Sequence, residues 1–309
     1  MDQDYPHARM QVLVVVDSAS TDATDAEAKA ALDASDFGAW EVIRNTDGGG
    51  TPANLNVGLA AATGTVLCRV DARSRIPPDY VRRCVEILTA RPDVSVVGGS
   101  QVAIATGDDA RSFGIARALN NRWGMGLSRY RRGAGSGPSD TVYLGAFRTA
   151  ELRAVGGWNR EFATNQDFEL NRRMAEQGLV WFEAGLPVGY VPRPDLRSLH
   201  RQYRRFGAWK VRYWRRTGDR PRPRQLALLV GVPAAVTAAL AGVVATRGAR
   251  RAGLVAGLVA AAVFVEGRGS PGPGGGARVH AWSFAALVTV AAGWLEGAWQ
   301  ALIAGESDP

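Results

Sequence analysis

Cysteine is nearly missing from the 309-residue chain. The two that occur, Cys68 and Cys84, lie in separate apolar runs, which excludes a disulfide framework or a CxxC metal centre. Lysine is scarcer than the basic total suggests: among 37 Lys and Arg residues only positions 29 and 210 are Lys, a compositional bias rather than a recognition signal. A reducing, cytosolic setting fits so few cysteines, and the opening stretch Met1–His7 is polar and acidic where a secretory signal needs basic then apolar residues, so no such signal is expected. Charged residues are few, 21% against 46% apolar, which excludes a mainly disordered chain. The formal charge of +8 is also localised. Residues 201–224 hold ten Arg or Lys against Asp219 alone, so the remainder is close to neutral.

What is present falls into three parts. Residues 1–195 alternate short apolar runs with helical patterns, the sign of an α/β domain with a mostly parallel sheet. Strands are expected at 11–16, 40–44, 66–71, 94–98 and 141–147. Helices are expected at 22–34, with Thr21 as N-cap, and at 52–62 and 78–89. Residues 196–225 form a basic amphipathic segment with Tyr203, Phe206, Trp209, Tyr213 and Trp214 among the cations, a composition suited to an anionic membrane surface. A solvated helix packed on the domain is the alternative. Residues 226–309 make a membrane region of two or three apolar helices. Leu226–Thr246 is uncharged for 21 residues, enough to span a hydrocarbon core; Ala252–Val265 is short, and Ala281–Ala304 is interrupted by Glu296. A Gly/Pro-rich linker is expected at 267–276. The basic block ahead of Leu226 places the first domain in the cytoplasm, whereas Arg247, Arg250 and Arg251 beyond that span run against the same rule and keep a tight or re-entrant hairpin open.

Four clusters could carry chemistry. Asp17 closes an apolar strand in VVVDSASTDAT and Asp22 follows in the turn; acids there can bind ligands at the carboxyl end of a sheet, or simply cap a helix. NTDGGGTPANLNVG, residues 45–58, sets three glycines before a helix whose free N–H groups suit phosphate, or forms an ordinary surface turn. In RVDARS, Asp71 ends a strand and could hold Mg²⁺ or Mn²⁺ against a diphosphate, while Arg73 could neutralise phosphate itself. In NQDFELNRR, Asp167 could act as general base, with Glu169 as competitor and a helix first-turn acid as the plain reading.

In this order the clusters resemble the family 2 glycosyltransferases of GT-A fold, in particular the membrane-anchored subgroup similar to succinoglycan and other exopolysaccharide sugar transferases. Asp17, Ser20 and Asp22 match the family's Asp-Asp-Gly-Ser turn, with Ser18 in place of its second Asp. GGGTPANLN, with Thr51 and Asn56, matches the donor-side loop and helix. Asp71 matches the first acid of the Asp-x-Asp metal motif. Residues 140–159, with Gly145 and Trp158, resemble the acceptor-side segment, and Asp167 matches the catalytic base. Gln202, Arg205 and Phe206 resemble the Gln-x-x-Arg-Trp element of processive relatives, a weaker match.

The resemblance implies an inverting transfer from a nucleotide-diphospho-sugar to a membrane-associated, lipid-linked acceptor in exopolysaccharide or envelope glycan synthesis. It also implies a divalent cation and a multi-pass protein of the cell membrane whose catalytic domain faces the cytoplasm. Arg73 stands where a second metal-binding acid or His is expected, which counts against strict metal dependence. The family's opening strand and helix have no counterpart before DQDYPH, so the strands that would flank that central strand are expected to carry open edges. A catalytically inactive, membrane-tethered scaffold is the alternative function. Nucleic-acid binding through residues 201–224 is disfavoured, because the apolar span that follows makes lipid the simpler partner.

Overall fold

The computed structural model describes residues 2–121, 135–269 and 276–304. The chain forms two compact units, residues 1–101 with 128–189, and residues 102–127 with 190–309.

The first unit opens with a 3₁₀ turn at His7–Arg9, then β1 (Gln11–Val16), α1 (Thr24–Asp33), β2 (Ala39–Arg44), α2 (Gly50–Ala61), β3 (Val66–Cys68), β4 (Ser74–Arg75), α3 (Tyr80–Ala90) and β5 (Val94–Ala103). After α4 (Ala110–Leu119), which belongs to the second unit, follow β6 (Gly137–Pro138), β7 (Tyr143–Arg148), α5 (Thr149–Ala154), α6 (Gln166–Met174) and β8 (Leu179–Tyr190). β1 and β2 pair in parallel, from Gln11 opposite Ala39 to Val16 opposite Arg44, and form a two-stranded sheet of their own. The larger sheet runs β3-β7-β5-β8-β4, with β6 on β8. β1 and β3 share no hydrogen-bonded ladder.

The expectation of a mostly parallel sheet is corrected: the sheet is mixed. β7 lies between β3 and β5 and runs against both. Core strands covered on both faces read as continuous apolar runs in either direction, so local pattern does not carry this information. Two local readings also change. The ladder at residues 66–71 ends at Cys68, and α1 has Ala23 rather than Thr21 as N-cap. The side chain of Asp22 accepts the Thr24 amide and the hydroxyls of Ser20 and Thr24 instead.

Two apolar clusters hold the larger sheet. One gathers Leu59, Val96, Phe147, Leu152, Trp158, Leu170, Met174 and Phe182; the other packs Tyr80, Cys84 and Leu88 of α3 against Val94, Val97, Leu144 and Leu186. Burial of each large side chain contributes about 1.5–3 kcal/mol before chain entropy is set against it. α2 touches both sheets. Leu55 and Leu59 join the first cluster beside Leu67 of β3, while Gln11 of β1 donates to Ala61 O at 3.1 Å.

The second unit is helical: α4, α7 (Leu196–Thr217), α8 (Val232–Ala245), α9 (Ala249–Gly269) and α10 (Ala277–Ile303). Asp195 caps α7 by accepting the Ser198 amide at 2.8 Å. One helical turn, Pro223–Leu226, and a π-helical turn, Ala227–Gly231, lead into α8. Two segments, Ala227–Ala245 and Ala277–Ile303, are long and apolar enough to cross a membrane. α10 packs against α4 and α7 through small residues. A Cβ on Gly207 would stand 2.0 Å from Trp294 O, and one on Gly297 would stand 1.8 Å from Arg204 O, so only glycine permits this approach. Glu296, the charge that interrupts α10, faces His200 at 3.1 Å and Arg204 at 3.6 Å on α7. The linker expected at 267–276 is helical through Gly269, and residues 270–275 lie outside the described residues.

Candidate active site

β3 and β7 build the centre of the site. Their antiparallel register sets Cys68 opposite Ala146, and one step further the Arg69 amide donates to Gly145 O at 3.1 Å. The guanidinium of Arg69 is thereby drawn into the protein, with 3% of its side chain exposed. It meets two carboxylates there. Nε and Nη2 grip Asp71 through Oδ1 at 2.7 Å and Oδ2 at 3.1 Å, a fork that matches carboxylate geometry, while Nη1 donates to Asp167 Oδ1. Burial by itself would ease the proton off this guanidinium, but the two acids more than reverse that and keep Arg69 charged.

Asp167 sits in the first turn of α6, behind Asn165 in a left-handed conformation (φ 65°). Desolvation pushes its carboxyl above the ordinary Asp range, Arg69 pulls the other way, and Asp71 adds to the rise. The competitor Glu169 is consumed by structure: Arg173, one turn on, binds both its oxygens at 2.7 Å. Arg173 also donates to Val155 O at 2.6 Å and Gly157 O at 2.8 Å, which bolts α6 to the loop ahead of Trp158.

Trp158 is a core residue, 1% exposed and edge-on to Phe147 with ring centroids 5.8 Å apart. Its buried Nε1 has no partner among the described residues. Asn56 holds the same loop from α2, donating to Trp158 O at 2.7 Å and accepting the Trp158 amide at 2.9 Å. Gly157 takes φ 67°, and a Cβ there would lie 2.5 Å from Asn56 Oδ1, so this glycine is required twice over. Gly145 is tight for another reason: a Cβ would enter the Phe147 ring at 2.3 Å.

On the smaller sheet, Asp17 follows β1 and accepts the Ala19 amide at 2.9 Å and Asn54 Nδ2 at 2.6 Å. Those bonds hold its carboxyl below the usual range, the backbone one most strongly. The neighbouring Asn45 donates to Asn54 Oδ1 at 2.6 Å and to Gly48 O at 3.0 Å, tying the glycine turn to the strand end. Thr51 is exposed on the first turn of α2, and Arg73 is half-buried beyond Asp71. Gln202 and Arg205 belong to the second unit. Gln202 Nε2 donates to Tyr190 Oη at 3.1 Å, and Arg205 is exposed on α7.

Asp71 and Asp167, 96 residues apart in sequence, are thus brought onto one cation, while Asn56 and Trp158 form a structural clasp. Sequence reading missed Arg69 and Asn54. Arg69 had a usable signal: an arginine between Cys68 and Val70 with an acid two residues on, the spacing that returns to one face of an extended chain.

The same geometry bears on a metal ion. Both oxygens of Asp71 are held by a guanidinium, position 73 is Arg, and no group of three His, Cys, Asp or Glu side chains converges among the described residues. This donor set does not fit a protein-built divalent site, which takes oxygen ligands free of a bound cation.

The comparisons with known proteins converge on one family. The family model for glycosyl transferase family 2 matches residues 3–147. Residues 3–147 of this chain are thus similar to glycosyl transferase family 2. It is 31% identical over 190 residues to the succinoglycan biosynthesis protein ExoA of Rhizobium meliloti (strain 1021), a match that covers 61% of this chain and 56% of that protein. The match thus spans little more than half the length of that curated relative. Among solved structures it resembles the mannosyltransferase PcManGT from Pyrobaculum calidifontis, described in complex with GDP-Man and Mn²⁺, with TM-score 0.61, 22% identity, 99% of this chain and 81% of that one covered. That likeness establishes an α/β fold of GT-A type with a mixed sheet flanked by helices.

Proposed function

We propose that the chain transfers a sugar from a nucleotide-diphospho-sugar to an acceptor hydroxyl with inversion at the anomeric carbon. The observation that carries this reading is the fixed pair of acids, Asp71 three residues beyond β3 and Asp167 at the start of α6, in a chain whose residues 3–147 match family 2. Asp17 would contact the nucleotide from the end of β1. Asp71 and Arg73 would face the diphosphate, where negative charge grows as the leaving group departs and a guanidinium is a matching donor. The acceptor oxygen attacks the anomeric carbon as the bond to the diphosphate breaks. Its proton passes to a carboxylate oxygen of Asp167, and the bonding pair leaves on the phosphate oxygen. A carboxyl held above the ordinary Asp range is a better proton acceptor than a surface Asp.

The acceptor in this reading is membrane-associated and lipid-linked, in exopolysaccharide or envelope glycan assembly. Support comes from the ExoA likeness and from Ala227–Ala245, whose most apolar window is 6% buried against 28% for Ala277–Ile303, making it the better candidate span. The exposed cations Arg201, Arg204, Arg205, Arg215 and Arg216 of α7 supply a surface for anionic lipid, with the catalytic domain on the cytoplasmic side. A second reading, a catalytically inactive, membrane-tethered binding or scaffolding chain, is favoured by Arg73, which stands where the resemblance expects a second metal-binding acid.

One experiment separates the two. Purified chain in detergent is assayed for nucleotide-sugar turnover beside Asp167→Asn. The expected outcome is turnover by the parent and a loss of about 10²–10⁴-fold in kcat in the variant, with donor affinity little changed. Donor binding without turnover in the parent would select the second reading, and full activity in the variant would remove Asp167 from its role.

A further inference from the structure

The arrangement around Arg69 goes beyond the assignment of donor and base. A guanidinium with 3% exposure is fixed between two carboxylates that keep 35% and 41% of theirs, at the place where the sequence led us to expect a divalent cation. Its fork takes both oxygens of Asp71, and its remaining arm takes Asp167. Hard cations and guanidinium ions seek the same carboxylate lone pairs, and a buried guanidinium carried on the sheet cannot leave to make room. The Arg69 amide is itself tied to Gly145 O, so the cation is anchored through main chain as well as side chain. Arg73 then adds positive charge on the same strand-end turn, where an incoming metal ion would need negative charge.

We propose that Arg69 is the resident cation of this site: it takes the place of a divalent ion between Asp71 and Asp167, positions the two acids, and makes nucleotide binding independent of metal. The inference deepens the glycosyltransferase reading and rests on it for the identity of the ligand. Arg69 is a positioning residue here, since it acts through the two carboxylates.

The test begins with manganese alone. The full chain in detergent is titrated with Mn²⁺ and the free-ion signal followed by electron paramagnetic resonance, with no nucleotide present. The parent is expected to leave that signal unchanged. Arg69→Gln sets two carboxylates side by side without their cation, so it should gain one Mn²⁺ per chain with affinity raised at least about tenfold. Arg69→Gln combined with Asp71→Asn should lose that gain, and Arg69→Lys, which keeps the charge, should not show it. Manganese uptake by the parent that Asp71→Asn abolishes would overturn the proposal, as would a folded Arg69→Gln that gains none.

Where Arg69→Gln fails to fold, a measurement on the parent decides instead. Affinities for UDP and GDP are measured by calorimetry in EDTA and in Mn²⁺. Values within a factor of about three support a resident guanidinium, and a tenfold or greater strengthening by Mn²⁺ overturns it. Failure to bind either nucleotide in both buffers would sink the glycosyltransferase reading, and the manganese titration of the parent against Asp71→Asn would still decide the role of Arg69.

Discussion

β1 and β5 are built from nearly the same material and meet different fates. β1 reads QVLVVV and β5 begins VSVVGG, yet Val94–Ser100 are all buried while Gln11–Val15 are only half-buried. The difference lies in neighbours. β5 has β7 on one edge and β8 on the other, whereas β1 has β2 on one edge and, among the described residues, no strand on the second. Apolar composition marks a strand for the core, but closure on both edges is what puts it there. The site inherits this asymmetry. Asp17 hangs from the open sheet and Arg69, Asp71 and Asp167 from the closed one, so the spacing between the two groups depends on α2, which touches both.

The contrast can be broken first by truncation in each region. Trp158→Ala, in the closed sheet's core, should cost about 3–5 kcal/mol in denaturant unfolding, and Val14→Ala in β1 roughly 1 kcal/mol or less. Equal costs would mean that β1 is as tightly closed as β5. A smaller effect is expected at the tie across α2. Asn54→Ala removes the donor to Asp17 Oδ2, and because that acid is half-exposed the loss should be near 1 kcal/mol, read as a rise of less than about tenfold in donor KM at little changed kcat. A fall in kcat alone would place Asn54 with the chemistry instead.

The smallest effects are electrostatic, and they have opposite sign in the two regions. Asp17 is held below its ordinary pKa by the Ala19 amide and Asn54, so its stabilising contribution is present above the unfolded Asp value and fades as pH falls through the depressed one. Asp167 is raised by desolvation, so its contribution favours the folded chain below the unfolded Asp value and is lost as pH rises through the elevated one. The same rise sets the rate. The acid limb of kcat/KM should lie above the value of about 4 expected for an unperturbed Asp. A limb at or below that value would show that desolvation does not govern this carboxylate.

Much of this was legible in sequence where a local pattern suffices. β1 is found with the expected bounds, α7 takes up the first 22 residues of the basic segment expected at 196–225, and the glycine turn before α2 is where its three glycines put it. β8 was missed because LVWFEAGLPVGY carries two glycines and a proline that argue against a strand, although its place beside β5 buries Phe182, Leu186 and Val188. Strand direction was misjudged because β7 owes its place to partners 44 to 82 residues away in sequence. At the site, Asp167 and Glu169 stood as competitors in sequence, and in the structure each is reached by a different arginine, Arg69 and Arg173. Asn56 was expected at the donor, and one N–H and one lone pair of its amide hold the Trp158 main chain.

The glycines of α10 carry a consequence for how this chain can vary. Gly293 and Gly297 are one turn apart, and each admits the backbone of α7, at His200 and Arg204. A slide of α10 by one turn, about 5.4 Å, would bring Thr289 or Ala301 into one of the two notches, where no side chain fits. The seam therefore works as a key with two teeth and admits a single seating. Drift should be free on the outer face, at Phe284, Val288 or Leu302, while the notch positions and the α7 backbone they receive change only together.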